Sequence, residues 1–172
     1  ITERKQAEQA AAEASEQRRL ALEAADVGSW DYRFEEGQVT WDPRCRAMWG
    51  LSEGSDLSYE HVMERVHQED RNKTIQAINR ALSGEANGRY EVDFRVVWPD
   101  GSVRWIASRG QVYFAEVGKR KPTRFVGITR DFTKEKHAQE AIEASEKQLR
   151  ALADSIPQLA WMANADGYRI WF

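Results

Sequence analysis

Cysteine is nearly absent from this chain, because Cys45 is the single one among 172 residues. A lone thiol forms neither an internal disulfide nor a multi-cysteine metal site, so we predict no metal. It fits a reducing compartment, and we expect a cytoplasmic location. The chain also lacks any apolar run near the ~18–20 residues of a membrane span. We therefore expect no membrane contact from it, and a membrane attachment of the parent protein would come from other segments.

The chain also lacks a large excess of either positive or negative charge. The net charge of −3 at pH 7 leaves no basic footprint for nucleic acid, so we predict no nucleic-acid partner. The sequence has no glycine-rich phosphate loop and no nucleophile elbow. Its three histidines, His61, His67 and His137, are scattered. We find no catalytic constellation and predict that this chain is not itself an enzyme.

Two segments rich in Ala, Glu, Gln, Lys and Arg are predicted to form long helices, at residues 1–25 and 133–155. In the second segment Ile142, Leu149 and Ile156 recur every seven residues. That spacing is typical of a short coiled-coil stripe. We interpret both segments as helical linkers and predict a parallel homodimer through them.

The residues between the linkers have a different pattern, with aromatic and aliphatic side chains alternating with polar ones. Tyr90 to Trp98 alternates strictly, which is typical of a strand. The predicted order along the chain is two strands, three helices and three strands. That order favours an α+β domain with a five-stranded antiparallel sheet.

The predicted main helix covers residues 68–82 and ends at Gly84. We expect its side chains Ile75, Ile78 and Leu82 to face the core. Asp70 lies near its start, where an acidic side chain caps a helix and complements its dipole. The predicted strands cover residues 28–34, 39–41, 90–98, 102–114 and 124–132, and shorter helices cover 44–49 and 58–66. Asp42, which is followed by Pro43, and Ser58 are the predicted caps of these two short helices.

The two linkers resemble each other in sequence. Residues 2–8 are similar to residues 133–139, and residues 161–167 parallel the Trp-to-Gly hairpin of residues 30–37. The period is about 130 residues, which predicts a tandem repeat. Chance similarity between two Glu/Lys/Ala-rich helices would explain the helical part alone. A repeat also explains the hairpin, and it makes this chain a fragment of a longer protein.

Five short motifs occur in a fixed order along the middle of the chain. They span Gly28–Tyr32, Trp41–Leu51, Val66–Arg71, Tyr90–Ile106 and Gly127–Thr133. In this order they resemble the PAS family with its C-terminal PAC motif. Two departures stand out: a glutamine occupies position 68, where the family usually has proline, and a phenylalanine occupies position 132, where it usually has isoleucine.

The resemblance implies a PAS fold, with a five-stranded antiparallel sheet, helices on one of its faces, and long helices of coiled-coil type at both ends. The implied division of the chain has four parts. They are a linker from an upstream domain at 1–25, a PAS/PAC domain at 26–132, a second linker at 133–155, and the truncated start of a second PAS domain at 156–172.

Tandem PAS arrays of this kind are similar to the sensory regions of bacterial sensor histidine kinases in two-component phosphorelays. The resemblance implies a signal-relay module that passes conformational change to neighbouring PAS and output domains. Asp131, Phe132 and Thr133, where the last strand becomes the exit helix, are the expected coupling residues. Three alternatives stay open: a ligand- or flavin-binding sensor, a PAS module of a cyclic-dinucleotide synthase or hydrolase, and a passive dimerising spacer.

PAS-like domains hold haem, flavin or small metabolites between sheet and helices. The predicted main helix offers no histidine, which argues against haem ligated from that helix. Cys45 lies outside the sequence context of a flavin-adduct cysteine. We predict no cofactor, while non-covalent flavin or a small metabolite stays open. We favour an interior that the protein's own tryptophans largely fill. If a pocket exists, its candidate lining residues are Val62, Ile78, Phe94 and Ile106.

Overall fold

The computed structural model describes residues 2–115 and 121–160, with side-chain environments for 4–115 and 121–155. Two compact units result, one up to Phe132 and one from Thr133. The elements are α1 (Thr2–Ala24), β1 (Gly28–Arg33), β2 (Gln38–Trp41), α2 (Pro43–Met48), α3 (Tyr59–Arg65), α4 (Gln68–Ser83), a 3-10 turn (Glu85–Gly88), β3 (Arg89–Val97), β4 (Val103–Phe114), β5 (Pro122–Asp131) and α5 (Thr133–Ala160).

The five strands form one antiparallel sheet in the spatial order β2-β1-β5-β4-β3. The last strand, β5, therefore lies in the centre, between β1 and β4. The predicted PAS-type sheet is confirmed, and long helices flank the domain on both sides in sequence. α5 continues to Ala160, five residues past the expected linker end at 155. Residues 161–172, which carry most of the predicted second PAS domain, lie outside the described residues.

Short polar side chains fix where the small helices begin. The Asp42 carboxylate accepts from the Cys45 backbone N–H at 2.7 Å, which caps α2 as the Asp-Pro pair predicts. Its other oxygen accepts from the backbone N–H of Ser29 at 2.7 Å. Asp42 thus also attaches α2 to strand β1. Ser58 caps α3 by accepting from the His61 N–H at 3.4 Å.

The start of α4 differs from the expectation. His67, not Asp70, is the capping residue, because its Nδ1 accepts from the Glu69 N–H. Asp70 is buried, with 4% of its surface exposed, and its carboxylate turns to the sheet. There it accepts from Arg95 three times: from the backbone N–H at 2.8 Å, from Nε at 2.8 Å and from Nη2 at 3.0 Å. The motif that opens the main helix is thereby joined to strand β3.

The buried face of α4 also differs from the expectation. The side chains that lie against the sheet are small, namely Thr74, Ala77 and Ala81. Ile78 and Leu82 are only partly buried, and Ile75 belongs to neither core cluster. The physical reason is the limited space between the helix and the sheet. Small side chains let the helix backbone approach the aromatic rings of the inner sheet face, and larger aliphatic groups are pushed to the flank.

We expect Asp70→Asn to lower the unfolding free energy by about 3 kcal/mol at pH 7, because it removes the charge that compensates the Arg95 guanidinium. Hydrogen bonds from Arg95 hold the pKa of Asp70 well below its ordinary 3.8. A lowered folded-state pKa stabilises the fold above the unfolded-state pKa, and the contribution is lost as pH falls. The difference in unfolding free energy between wild type and Asp70→Asn should therefore shrink below about pH 4.

Chemical denaturation across this pH range measures the effect. The matched control is Asp93→Asn, which removes a half-exposed carboxylate that binds Arg109 at 2.8 Å. Exposed ion pairs contribute little to stability, so the unfolding free energy of this variant should fall by less than about 1 kcal/mol. An equal fall in unfolding free energy for both variants would contradict a larger stabilising role of the buried Asp70.

Candidate functional site

A pocket of about 880 Å³ lies between the inner face of the sheet and the helical layer. Its size falls in the range of about 300–1,000 Å³ that is typical of small-molecule sites. Aromatic rings line the sheet side, and the helical side is lined by aliphatic side chains of α3 and α4 together with the rings of Trp49, at the end of α2, and Tyr59, in α3. The aromatic lining comprises Trp30, Tyr32, Phe34, Trp41, Trp49, Tyr59, Tyr90, Phe94 and Phe125.

Three of the four residues predicted from the sequence line this pocket: Val62, Ile78 and Phe94. Ile106 does not. It is fully buried in the core cluster, beside Phe94 across the β3–β4 pair. The assignment of a ligand to these residues stays a prediction. The alternation of β3 could have indicated Tyr90 as lining, and the four-residue step before Ile78 could have indicated Thr74.

Gly110 and Gly127 leave space for the ring of Trp30, which forms part of the pocket wall. A Cβ added at Gly127 would come within 2.3 Å of the Trp30 ring, and one at Gly110 within 2.9 Å. The ring therefore lies directly over the backbone of β4 and β5. It meets Phe125 edge-on at a centroid distance of 4.7 Å. Trp30, in the pocket wall, is therefore in direct contact with the central strand β5.

The buried hydroxyls that line the pocket are already engaged within the fold. Thr74 Oγ1 donates to the Asp70 carbonyl at 2.8 Å. Thr129 Oγ1 donates to Cys45 Sγ at 3.4 Å. Burial raises the pKa of Tyr90 well above its ordinary value, partly offset by a hydrogen bond with Ser108. These groups shape the pocket without presenting a free charge to it.

Trp49 is the exception among the buried lining side chains. It is 4% exposed and packs its ring between Trp41, at 5.1 Å, and Phe94, at 5.4 Å. Its indole N–H is buried and has no hydrogen-bond partner among the described residues. The neighbouring Trp98 differs, because its indole donates to the Met48 carbonyl at 3.0 Å. Nothing in the sequence distinguishes the two tryptophans in this respect.

The expected coupling residues lie where β5 ends. Asp131 is the last residue of β5 and is paired in register with Ile106. The Phe132 N–H donates to the Trp105 carbonyl at 2.9 Å, and the two rings lie 6.0 Å apart. Thr133 is buried and begins α5. A single residue thus separates the central strand from the exit helix.

Within residues 2–115 and 121–160, no group of three or more His, Cys, Asp or Glu side chains is arranged to hold a metal ion. Over the same described part of the chain, no helix is both long and apolar enough to cross a membrane. An antiparallel sheet with β5 at its centre, a helical layer on one face and a pocket between them together define a PAS-type domain.

A family model described as PAS fold matches residues 38–129, more than half of the chain. The chain therefore belongs to the PAS fold family, as the motifs indicated. Among curated proteins it is similar to the sensor protein FixL of Bradyrhizobium diazoefficiens, with 28% identity over 152 residues that cover 88% of this chain and 29% of that protein. The chain spans less than a third of the length of the first curated relatives that it matches.

Two solved structures have the same fold. One is a sensory box histidine kinase/response regulator from Burkholderia thailandensis, with a TM-score of 0.61 and 28% identity over 78% of this chain and 98% of that chain. The other is the N-terminal domain of a diguanylate cyclase with a PAS/PAC sensor from Marinobacter aquaeolei. Its TM-score is 0.56 at 22% identity, over 64% of this chain and 99% of that chain, which supports the fold alone.

We expect the Cys45 thiol to be unreactive in the folded protein. Burial raises its pKa to about 12, and only the thiolate attacks alkylating reagents. Iodoacetamide at about pH 8 should therefore label native protein at least about 100-fold more slowly than denatured protein, with mass spectrometry as the readout. Labelling of the native protein at the rate of an unfolded thiol would contradict this burial.

Proposed function

We propose that this chain is a signal-relay PAS module of a multidomain sensor protein, and that the parent is a sensor histidine kinase. The observation that carries the proposal is the course of β5. This strand lies in the centre of the sheet and places Phe125 and Thr129 in the pocket lining. It then continues into α5 after Phe132. A change in the pocket therefore acts on the same strand that leads into α5.

The proposed mechanism is a shift between two packings of the sheet. A ligand or partner that binds one packing more tightly moves the population toward it. Because β5 is bonded on both edges, to β1 and to β4, a change in its twist requires its neighbours to move with it. Asp131, Phe132 and Thr133 are the proposed residues that pass this change to α5 and on to neighbouring PAS and output domains.

The second proposed function is ligand sensing by the same domain. The pocket of about 880 Å³, which is partly open to solvent, favours it, since its volume is typical of small-molecule sites. The occupant would be a small metabolite or a non-covalently held flavin. A cyclic-dinucleotide synthase or hydrolase stays the alternative parent, because such proteins use similar PAS modules and linkers.

The proposed partner in the assembly is a second copy of the chain, in parallel, through the flanking helices. α5 leaves three aliphatic side chains exposed: Ile142 at 55%, Leu149 at 63% and Leu152 at 56%. Ile142 and Leu149 are one heptad apart, so they lie on one side of the helix. Residues 1–25 and 133–155 are the proposed linkers of a tandem array, with residues 156–172 opening a second PAS domain in a cytoplasmic protein.

We expect Leu149→Lys to weaken the dimer at least about tenfold, because a charge on the helix stripe would have to be buried or displaced. Lys147→Glu is the matched control, since it changes a charge two residues away, off that stripe. Sedimentation equilibrium over a concentration series measures both variants. A monomeric wild-type chain, or equal dissociation constants for Leu149→Lys and wild type, would contradict the proposed interface.

We expect Asp131→Ala to weaken signalling in the full-length protein, because Asp131 ends the strand that leads into α5. Autophosphorylation of the parent kinase, with and without its stimulus, measures the coupling. Asp154→Ala serves as control, since it removes an exposed carboxylate far along α5. If Asp131→Ala leaves the stimulated and unstimulated levels unchanged, the coupling role is wrong.

A further inference from the structure

Arg95 connects the start of α4 to the outer face of the sheet, the face turned away from the pocket. It lies on the edge strand β3, where its backbone N–H donates to Asp70 and its carbonyl accepts from the His67 N–H at 2.9 Å. Its guanidinium donates to the Asp70 carboxylate and, at 2.8 Å, to that of Glu69. The first turn of α4 therefore fixes both the backbone and the guanidinium of Arg95.

The same guanidinium lies over the ring of Trp105. Arg95 and Trp105 are paired in register across β3 and β4, and they alternate with Phe94 and Ile106, which are buried on the inner face. The Arg95 Cζ is 5.4 Å from the centroid of the Trp105 ring, within the range of cation–π attraction. Because the guanidinium is planar and bound to carboxylates of α4, a movement of that helix changes how it covers the ring.

Trp105 in turn contacts Phe132, the last residue before α5. The two ring centroids lie 6.0 Å apart, and the Trp105 carbonyl accepts from the Phe132 N–H at 2.9 Å. Position 132 is one of the two departures from the usual PAS pattern, which has isoleucine there. An isoleucine would keep the backbone bond and lose the contact between aromatic rings. The phenylalanine therefore completes a continuous series of contacts from Asp70 through Arg95 and Trp105 to the end of β5.

We propose that Arg95 and Trp105 are positioning residues of a second route to α5, which runs over the outer face of the sheet and ends on the Phe132 ring. Its input is the first turn of α4, whose carboxylates hold the Arg95 guanidinium. The same helix lines the pocket, so a displacement of α4 acts on α5 by both routes. The inference rests on the proposed relay function and adds to it a second path with its residues.

Hydrogen–deuterium exchange in the first turns of α5 tests this route in pairs of variants. Asp70→Asn should raise the exchange rate there at least about fivefold in the wild-type background, as expected for coupled residues. In the Phe132→Ile background it should raise the rate less than about twofold, the limit for sites that act independently. Tyr113→Ile is the matched control background, because Tyr113 is an exposed aromatic residue of β4 outside the series. There the full response should remain.

A merely global loss of stability would raise α5 exchange equally in all three backgrounds, and that result would overturn the second route. Arg95→Lys serves where Asp70→Asn fails to fold, since it keeps a positive charge for Asp70 and loses the planar group. Phe132→Ile should raise α5 exchange in the wild-type chain and add nothing in Arg95→Lys. Equal increases in both would also overturn the route.

The pocket variant Ile78→Trp separates this inference from the relay function on which it rests. If Ile78→Trp alters α5 exchange while the response to Asp70→Asn does not depend on Phe132, the second route is wrong and the relay through β5 stands. If neither Asp70→Asn nor Ile78→Trp alters α5 exchange, the second route and the relay function are both wrong.

Discussion

The ion pair between Asp70 and Arg95 holds the start of α4, the main helix, against the sheet. A buried carboxylate is costly unless donors surround it, and here three donors come from one residue of β3, with Lys73 at 3.1 Å as a fourth. The His67 N–H adds a bond to the Arg95 carbonyl at 2.9 Å. The first turn of α4 is thus attached to one point on the sheet, and the rest of the helix extends from it along the pocket.

The position of α4 in turn creates the pocket. Ala77 and Ala81 share a buried cluster with Tyr90 and Phe125 and bring the helix close to the sheet. Around Thr74 and Ile78 the helix forms the pocket wall instead. On the opposite side the glycines of β4 and β5 allow Trp30 to lie over the backbone. The same central strand therefore supports the pocket wall and ends one residue before α5, which is the structural basis of the relay proposal.

Much of this architecture follows from local rules that the sequence obeys. Strict alternation predicts β3, and the Asp42 and Ser58 caps predict where two helices begin. The buried face of α4 could not be predicted in this way, because it depends on the distance to the sheet and not on hydrophobicity. Ile106 and Phe94 are neighbours on the same inner face, yet only Phe94 reaches the pocket. The unmet Trp49 donor depends on acceptors missing from around it, which no local pattern records.

The central claim is that a change at the pocket reaches α5 through β5. The most direct measurement is hydrogen–deuterium exchange on Ile78→Trp, which adds an indole to the pocket wall, compared with Ile75→Trp on the same helix but outside the lining. The account predicts altered amide protection in β5 and in the first turns of α5 for Ile78→Trp and not for Ile75→Trp. Changes confined to α4 in both variants would contradict it.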